Sequence, residues 1–143
     1  MYLGLLGLWR LDENTGALAA DSSGHGNTGT IEGSAPAWVA GKNGYAVDLP
    51  GTDERIDCGN ASPLDRVGNG DFSVSLWVKS KDAVPLHQGR LFSKHEDVDN
   101  RFMLYSTAVA NRLSFWIEKG GVNIPITFTD DEGPFNAERI RAE

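Results

Sequence analysis

The sequence predicts an all-β protein, an antiparallel sandwich of two sheets, on three observations. Apolar and polar residues alternate over several short segments, as they do in strands with one buried face. Single glycines, from a total of 17, fall between these segments. Paired turn residues mark the breaks. A chain of 143 residues has the length of one domain, so we interpret residues 1–143 as a single domain.

The alternation is clearest in three segments. Every second residue is apolar over 72–78 in "DFSVSLWVKS", over 113–117 in "RLSFWIEK" and over 122–128 in "VNIPITFTD". A continuous helical period is not found. Shorter strands are predicted at residues 5–11, 27–31, 46–49, 55–58, 90–93 and 101–105.

Glycine and proline separate the predicted strands. Pro125 lies inside the last alternating segment, and because proline has no backbone N–H, we expect it at a sheet edge or a bulge. Turns are predicted at Asn43-Gly44, Asn69-Gly70, Gly120-Gly121 and residues 50–54.

Charge and cysteine content limit the classes of partner. The formal net charge is −7 and the 13 basic residues are scattered, which argues against binding to nucleic acid or to an anionic membrane. The single cysteine, Cys58, excludes an internal disulfide. The apolar start "MYLGLLGLW" is too short to span a bilayer and has no basic region of a signal peptide, so we interpret it as a strand.

Several motifs, in order along most of the chain, resemble one known family. They are "LDENTG", "ADSSGHGNTGT", "WVAGKNGYA", "GDFSVSLWVK" and "LFSK". Together they resemble the laminin-G-like domains of the concanavalin A-like lectin/glucanase superfamily. The resemblance implies a jelly-roll sandwich and an extracellular or cell-surface location. The family's C-terminal strands have no visible counterpart before Glu143, so either the tail is divergent or the sandwich is truncated. A truncated sandwich would have open sheet edges, and for that case we expect a homo-oligomer that covers them.

The same resemblance implies a structural calcium ion beside the "DSSGHGN" loop. Asp21 and Asn27 would be side-chain ligands, together with backbone carbonyls near Gly24, since calcium binds six to eight oxygens. The alternative is that Asp21 and Ser22 hydrogen-bond the backbone of their own turn. A Walker-type phosphate-binding loop is excluded, because no Gly-Lys-Ser/Thr and no helix pattern follow.

Aromatic residues are the candidate ligand contacts. Trp77 and Trp116 lie on the polar sides of their predicted strands, where an exposed ring could stack on a sugar. Trp38, Tyr45 and Tyr105 complete the predicted binding set. The alternative is that these tryptophans belong to the core, because tryptophan is usually largely buried.

Catalysis is not predicted. No strand carries the paired acids of a glycosidase, and the three histidines have no metal-binding spacing. We therefore expect a non-catalytic module that binds carbohydrate or a protein surface. The alternative is a structural module, such as part of a virion or surface appendage, that assembles through open sheet edges.

Overall fold

In the computed structural model, the described residues are 4–50, 53–60, 64, 71–79, 89–95, 100–106 and 112–129. These residues form nine β-strands and contain no α-helix. Every strand pair is antiparallel, and the strands form three sheets. The prediction of an all-β, antiparallel protein is confirmed.

The chain divides into two compact units, Met1–Gly70 and Asp71–Glu143. The prediction of one domain over residues 1–143 stays a prediction. The strands of the first unit are β1 (Leu18–Ala19), β2 (Gly29–Glu32), β3 (Ala37–Ala40), β4 (Tyr45–Asp48) and β5 (Arg55–Asp57). Those of the second unit are β6 (Arg90–His95), β7 (Asn100–Ser106), β8 (Arg112–Lys119) and β9 (Val122–Thr129).

A three-stranded sheet in the first unit has the order β1-β2-β5. Ala19 and Ile31 are buried in it, and Ile31 pairs with Ile56 across the β2–β5 ladder. Gly29 begins β2 at a point of close packing. A Cβ atom there would lie 2.7 Å from Ile56 Cγ2 and 3.2 Å from Cys58 Sγ. The absence of a side chain at Gly29 therefore allows its neighbours to pack together.

Strands β3 and β4 form a separate hairpin. Gly44 has φ +68°, a left-handed conformation that favours glycine, and Gly41 donates its N–H to the Gly44 carbonyl at 3.0 Å. The turn predicted at Asn43-Gly44 is confirmed.

The second unit contains a meander, a four-stranded sheet of order β6-β7-β8-β9. Gly120 and Gly121 join β8 to β9 with φ values of +57° and +75°, as a two-residue turn with two left-handed positions requires. This predicted turn is confirmed. Pro125 lies on β9 at one edge of the described sheet, as its missing N–H predicts. At the opposite edge, the β6–β7 register shifts between Arg90 and Phe92.

Strand alternation gives this sheet two faces, which we name by composition. The apolar face carries Phe92, Phe102, Leu104, Leu113, Phe115, Ile117, Ile124 and Ile126. The polar face carries Arg90, Ser93, His95, Arg101, Met103, Tyr105, Ser114, Trp116, Glu118, Asn123 and Pro125.

Phenylalanine rings form the core of the second unit on the apolar face. Phe102 is 4% exposed, and its ring centroid lies 4.9 Å from Phe72 and 5.6 Å from Phe92. Phe115 packs 6.2 Å from both Phe72 and Phe102. These separations are within the usual range for attractive aromatic pairs.

Two predicted strands require correction. Residues 72–78 have no strand assignment, although Phe72, Leu76 and Val78 are more buried than the residues between them. No described strand pairs with this segment in a ladder, so alternation alone did not establish one. Residues 5–11 likewise form only one isolated bridge, between Trp9 and Asp21.

The remaining strand predictions are close to the observed bounds. Seven of the predicted segments overlap β2 and β4 to β9. Strands β1 and β3 were not predicted, because they are short and alanine-rich and show no alternation of apolar with polar residues. The predicted turn at Asn69-Gly70, and residues 51 and 52 of the turn at 50–54, lie outside the described residues.

Candidate functional site

The loop between β1 and β2 is organised around the carboxylate of Asp21. Oδ1 accepts hydrogen bonds from the backbone N–H groups of Leu8 at 3.0 Å and Ser23 at 2.8 Å. Oδ2 accepts from the Ser23 hydroxyl at 2.8 Å and from the Asn27 N–H at 2.9 Å. One side chain thus joins the N-terminal segment, the bend and the start of the next strand.

These contacts change the acidity of Asp21. Burial alone would raise the pKa of the carboxyl group, because it disfavours the charged form. The hydrogen bonds from the Ser23 hydroxyl and from the N–H groups of Leu8, Ser23 and Asn27 outweigh burial and lower the pKa to about 2. The loop is therefore stabilised by an ionised carboxylate at neutral pH.

Asn27 is the second residue that holds this loop. It is 3% exposed, its Nδ2 donates to the Leu6 carbonyl at 2.9 Å, and its own carbonyl accepts from Trp9 Nε1 at 2.7 Å. Its side-chain Oδ1 is buried and has no hydrogen-bond partner. Asn27 therefore connects the N-terminal segment to the loop, with one acceptor oxygen unused.

The donor set can be compared with what calcium requires. Asn27 Oδ1 fits as one oxygen ligand, but both oxygens of Asp21 already accept two hydrogen bonds each. Calcium prefers six to eight oxygens, so an ion at Asp21 would compete with these four donors. Within the described ranges, no three His, Cys, Asp or Glu residues form a group that could hold a metal ion. Calcium binding stays a prediction.

The β3–β4 hairpin carries two of the predicted ligand contacts. Trp38 pairs with Val47 and Tyr45 pairs with Ala40, so both rings lie on the same face of the hairpin. Trp38 Nε1 donates to the Gly16 carbonyl at 2.9 Å, and the half-buried ring lines a cavity of about 50 Å³. This volume is far below the roughly 300–1,000 Å³ of small-molecule pockets.

The second unit holds a more elaborate cluster at one end of the polar face. A cross-strand row runs through His95, Arg101, Glu118 and Asn123, one residue from each strand of the sheet. Trp116 lies on the same face, two residues before Glu118 along β8. We name these five residues the arginine cluster.

Arg101 is the centre of the arginine cluster. Its Nε donates to Glu118 Oε2 in an ion pair whose side chains are 27% and 10% exposed. Its guanidinium lies 4.8 Å from the centroid of the Trp116 ring, within cation–π range. Its Nη1 is 3.4 Å from His95 Nε2. Trp116 is fixed further by a 2.8 Å hydrogen bond from Nε1 to Asn123 Oδ1.

The predicted ligand-binding aromatic residues of the second unit do not all lie on the same face. Tyr105 shares the polar face with Trp116 and is half-buried, like Trp116 itself. Trp77 is 60% exposed, and alternation places it on the opposite side of its segment from Phe72, which packs on the apolar face. Tyr105 and Trp116 are therefore brought to one face, whereas Trp77 is not among them.

Sequence reasoning did not find Arg101, Glu118, His95 or Asn123. A signal was present for Glu118, because it follows Trp116 by two residues on the same side of a predicted strand. The other three depend on strand register, which joins residues distant in sequence. Register could not be derived from alternation alone.

The lone thiol shows no sign of activation. Burial is the main cause that raises the pKa of Cys58 to about 11, with smaller contributions from the negative charges of Asp57 and Asp21. The thiol is therefore protonated at neutral pH, and a protonated thiol is a poor nucleophile.

Comparison with protein-family models, with curated proteins and with solved structures finds no match to this chain. The resemblance to laminin-G-like domains thus stays a prediction from the motifs. In the part of the chain that the structure describes, no helix is long and apolar enough to cross a membrane.

Proposed function

We propose that this protein is a non-catalytic carbohydrate-binding module, and that the arginine cluster is its binding site. In this proposal the sheets belong to a jelly-roll sandwich of the laminin-G-like kind, within an extracellular or cell-surface protein. The observation that carries the proposal is the half-buried Trp116 ring, held in a fixed orientation among planar polar groups on a sheet face.

The composition of the arginine cluster suits a sugar. A sugar ring has apolar C–H patches that pack on an aromatic ring and hydroxyl groups that need directed hydrogen bonds. Trp116 supplies the aromatic surface, and Tyr105 extends it along the same face. Asn123, which contacts the ring, and His95, which lies beside the Arg101 guanidinium, are both exposed and supply hydrogen-bonding groups.

The fixed orientation of Trp116 favours binding. The Arg101 guanidinium carbon lies over the ring and Asn123 accepts its indole N–H, so the ring has little rotamer freedom left to lose when a ligand arrives. A contact that is ordered in advance costs less conformational entropy on binding.

Binding is proposed rather than hydrolysis because of the number of carboxyl groups on the polar face. A glycosidase places two carboxyl groups on either side of the bond that it cleaves. Among the described residues of the polar face, Glu118 is the one carboxylate, and it is paired with Arg101.

The first prediction concerns Trp116. We expect Trp116→Ala to weaken binding of the best ligand from a glycan panel by at least about tenfold, because loss of a central aromatic contact removes about 2 kcal/mol or more. Calorimetric titration measures the effect, and circular dichroism checks that the variant is folded.

Trp77→Ala is the matched control. It removes an equally large side chain from the same unit, at a position 60% exposed and away from Phe72. We expect it to leave the affinity unchanged. Equal losses in the two variants, or full binding by folded Trp116→Ala, would contradict the proposed site.

A further inference from the structure

We infer that the arginine cluster selects uncharged glycans and discriminates against sulfated or carboxylated ones. This inference rests on the proposed function and adds the chemical class of the ligand. It follows from how the charge of Arg101 is compensated within the cluster.

The positive charge of Arg101 is already engaged. Glu118 pairs with its Nε, and the Glu118 side chain is only 10% exposed. The guanidinium carbon lies over the Trp116 ring, 4.8 Å from its centroid, and Nη1 lies 3.4 Å from His95 Nε2. An arginine that recognises sulfate or carboxylate donates its N–H groups in pairs. Its positive charge is also not already compensated by a neighbouring carboxylate.

The charges in the cluster sum to zero when the imidazole is neutral. Arg101 contributes +1 and Glu118 contributes −1. An anionic ligand that took the Nε of Arg101 as one of a pair of donors would displace Glu118, which would leave a nearly buried carboxylate without its partner, a strongly unfavourable state. The net charge of −7 on the whole chain adds long-range repulsion of anions at low salt.

A neutral sugar meets no such penalty. Its hydroxyl groups donate and accept, so they can use the outer atoms of the cluster while the Arg101–Glu118 pair stays intact. Specificity of this kind arises from a cost imposed on the wrong ligand as much as from contacts with the right one.

The inference has a direct consequence for Glu118→Gln. Glutamine keeps the shape and an acceptor oxygen but removes the negative charge, so Arg101 is left uncompensated. We expect this variant to gain affinity for anionic glycans by at least about tenfold, the effect of about 1.4 kcal/mol. The readout is the ratio of the affinity for sulfated glycans to the affinity for neutral glycans, because Glu118 belongs to the proposed site and its replacement can change both.

The experiment uses immobilised neutral oligosaccharides and their sulfated counterparts, each measured at low and high salt. The unaltered protein is expected to bind the neutral form, with little dependence on salt. Glu118→Gln is expected to bind the sulfated form, with an affinity that falls as salt is added, because salt screens exposed charges.

The outcomes separate the inference from the proposed function. Strong, salt-sensitive binding of sulfated glycans by the unaltered protein overturns the inference and leaves the binding function standing. Binding of neither class overturns both. Unchanged selectivity in a folded Glu118→Gln variant overturns the role given to the ion pair.

A second variant covers the case in which Glu118→Gln does not fold. The double variant Arg101→Gln with Glu118→Gln removes both charges together and so avoids an unpaired buried ion. We expect it to bind neutral glycans more weakly, because Arg101 no longer fixes the Trp116 ring, and to gain no salt-sensitive binding of sulfated ones. A gain for sulfated glycans in this variant would overturn the inference.

Discussion

At the scale of single residues, Asp21 shows how one carboxylate can organise a glycine-rich loop. Its four hydrogen bonds reach Leu8, Ser23 and Asn27, and they explain why the loop residues that resemble flexible linker material form an ordered turn. The sequence indicated that Asp21 and Asn27 matter. It could not identify Leu8 as a partner, because that contact depends on how the N-terminal segment folds back.

The low pKa of Asp21 predicts acid sensitivity. Its folded-state pKa of about 2 is below the usual 3.8, so the carboxylate stabilises the fold above pH 4 and loses this effect as the pH falls through 2. We expect Asp21→Asn to lower the free energy of unfolding at pH 7 by about 1–2 kcal/mol, after allowance for partial exposure. Urea denaturation at several pH values measures the difference, which should shrink towards pH 2.

Asp12→Asn is the control, since Asp12 is an exposed aspartate of the same segment. We expect it to change stability by no more than about 0.5 kcal/mol. Thermal melts of the unaltered protein and of Asp21→Asn, run with calcium and with a chelator, test the calcium prediction. A calcium-dependent rise in Tm that Asp21→Asn abolishes would support a metal at this loop, by mass action.

A second residue with a defined packing role is Gly29. A methyl group there would lie 2.7 Å from Ile56 Cγ2, on a β-branched side chain that cannot easily move away. We expect Gly29→Ala to destabilise the first unit by about 1–3 kcal/mol, as overpacking usually does. Gly89→Ala is the control, because its nearest contact would be at an ordinary 3.5 Å. Equal thermal stability of the two variants would contradict this role.

At the scale of elements, strand prediction succeeded where alternation and turn chemistry agreed. The β8–β9 hairpin has both, with alternation on each strand and Gly120-Gly121 between them. The segment 72–78 has alternation without a described partner strand, and β1 has neither signal. Alternation indicates which side chains of a strand are buried. It does not indicate which strands are neighbours in a sheet, so it could not predict that the residues of the arginine cluster lie together.

At the scale of the whole molecule, the edge strand β9 leaves apolar side chains uncovered. Val122, Ile124 and Ile126 are 61%, 51% and 42% exposed in the described structure. The edge itself is poorly suited to adding a strand, because Pro125 lacks the N–H that a ladder needs. Association through these side chains is therefore favoured over extension of the sheet.

This surface predicts self-association. We expect a weight-average mass above the 15.5 kDa of one chain, rising with concentration in sedimentation equilibrium. Ile124→Lys should return the protein to monomer, since a charge in an apolar contact is unfavourable. Leu49→Lys, at a 40% exposed position of the first unit, serves as the control. A monomer at every concentration would exclude the homo-oligomer.

The path of the chain through its sheets also bears on folding. In the meander, each strand pairs with its neighbour in sequence, so every ladder closes a short loop. The β2–β5 ladder forms only after the intervening segment 33–54, which contains the β3–β4 hairpin, has been brought round. Because closure entropy grows with loop length, pairing begins at a smaller entropic cost in the second unit than in the first.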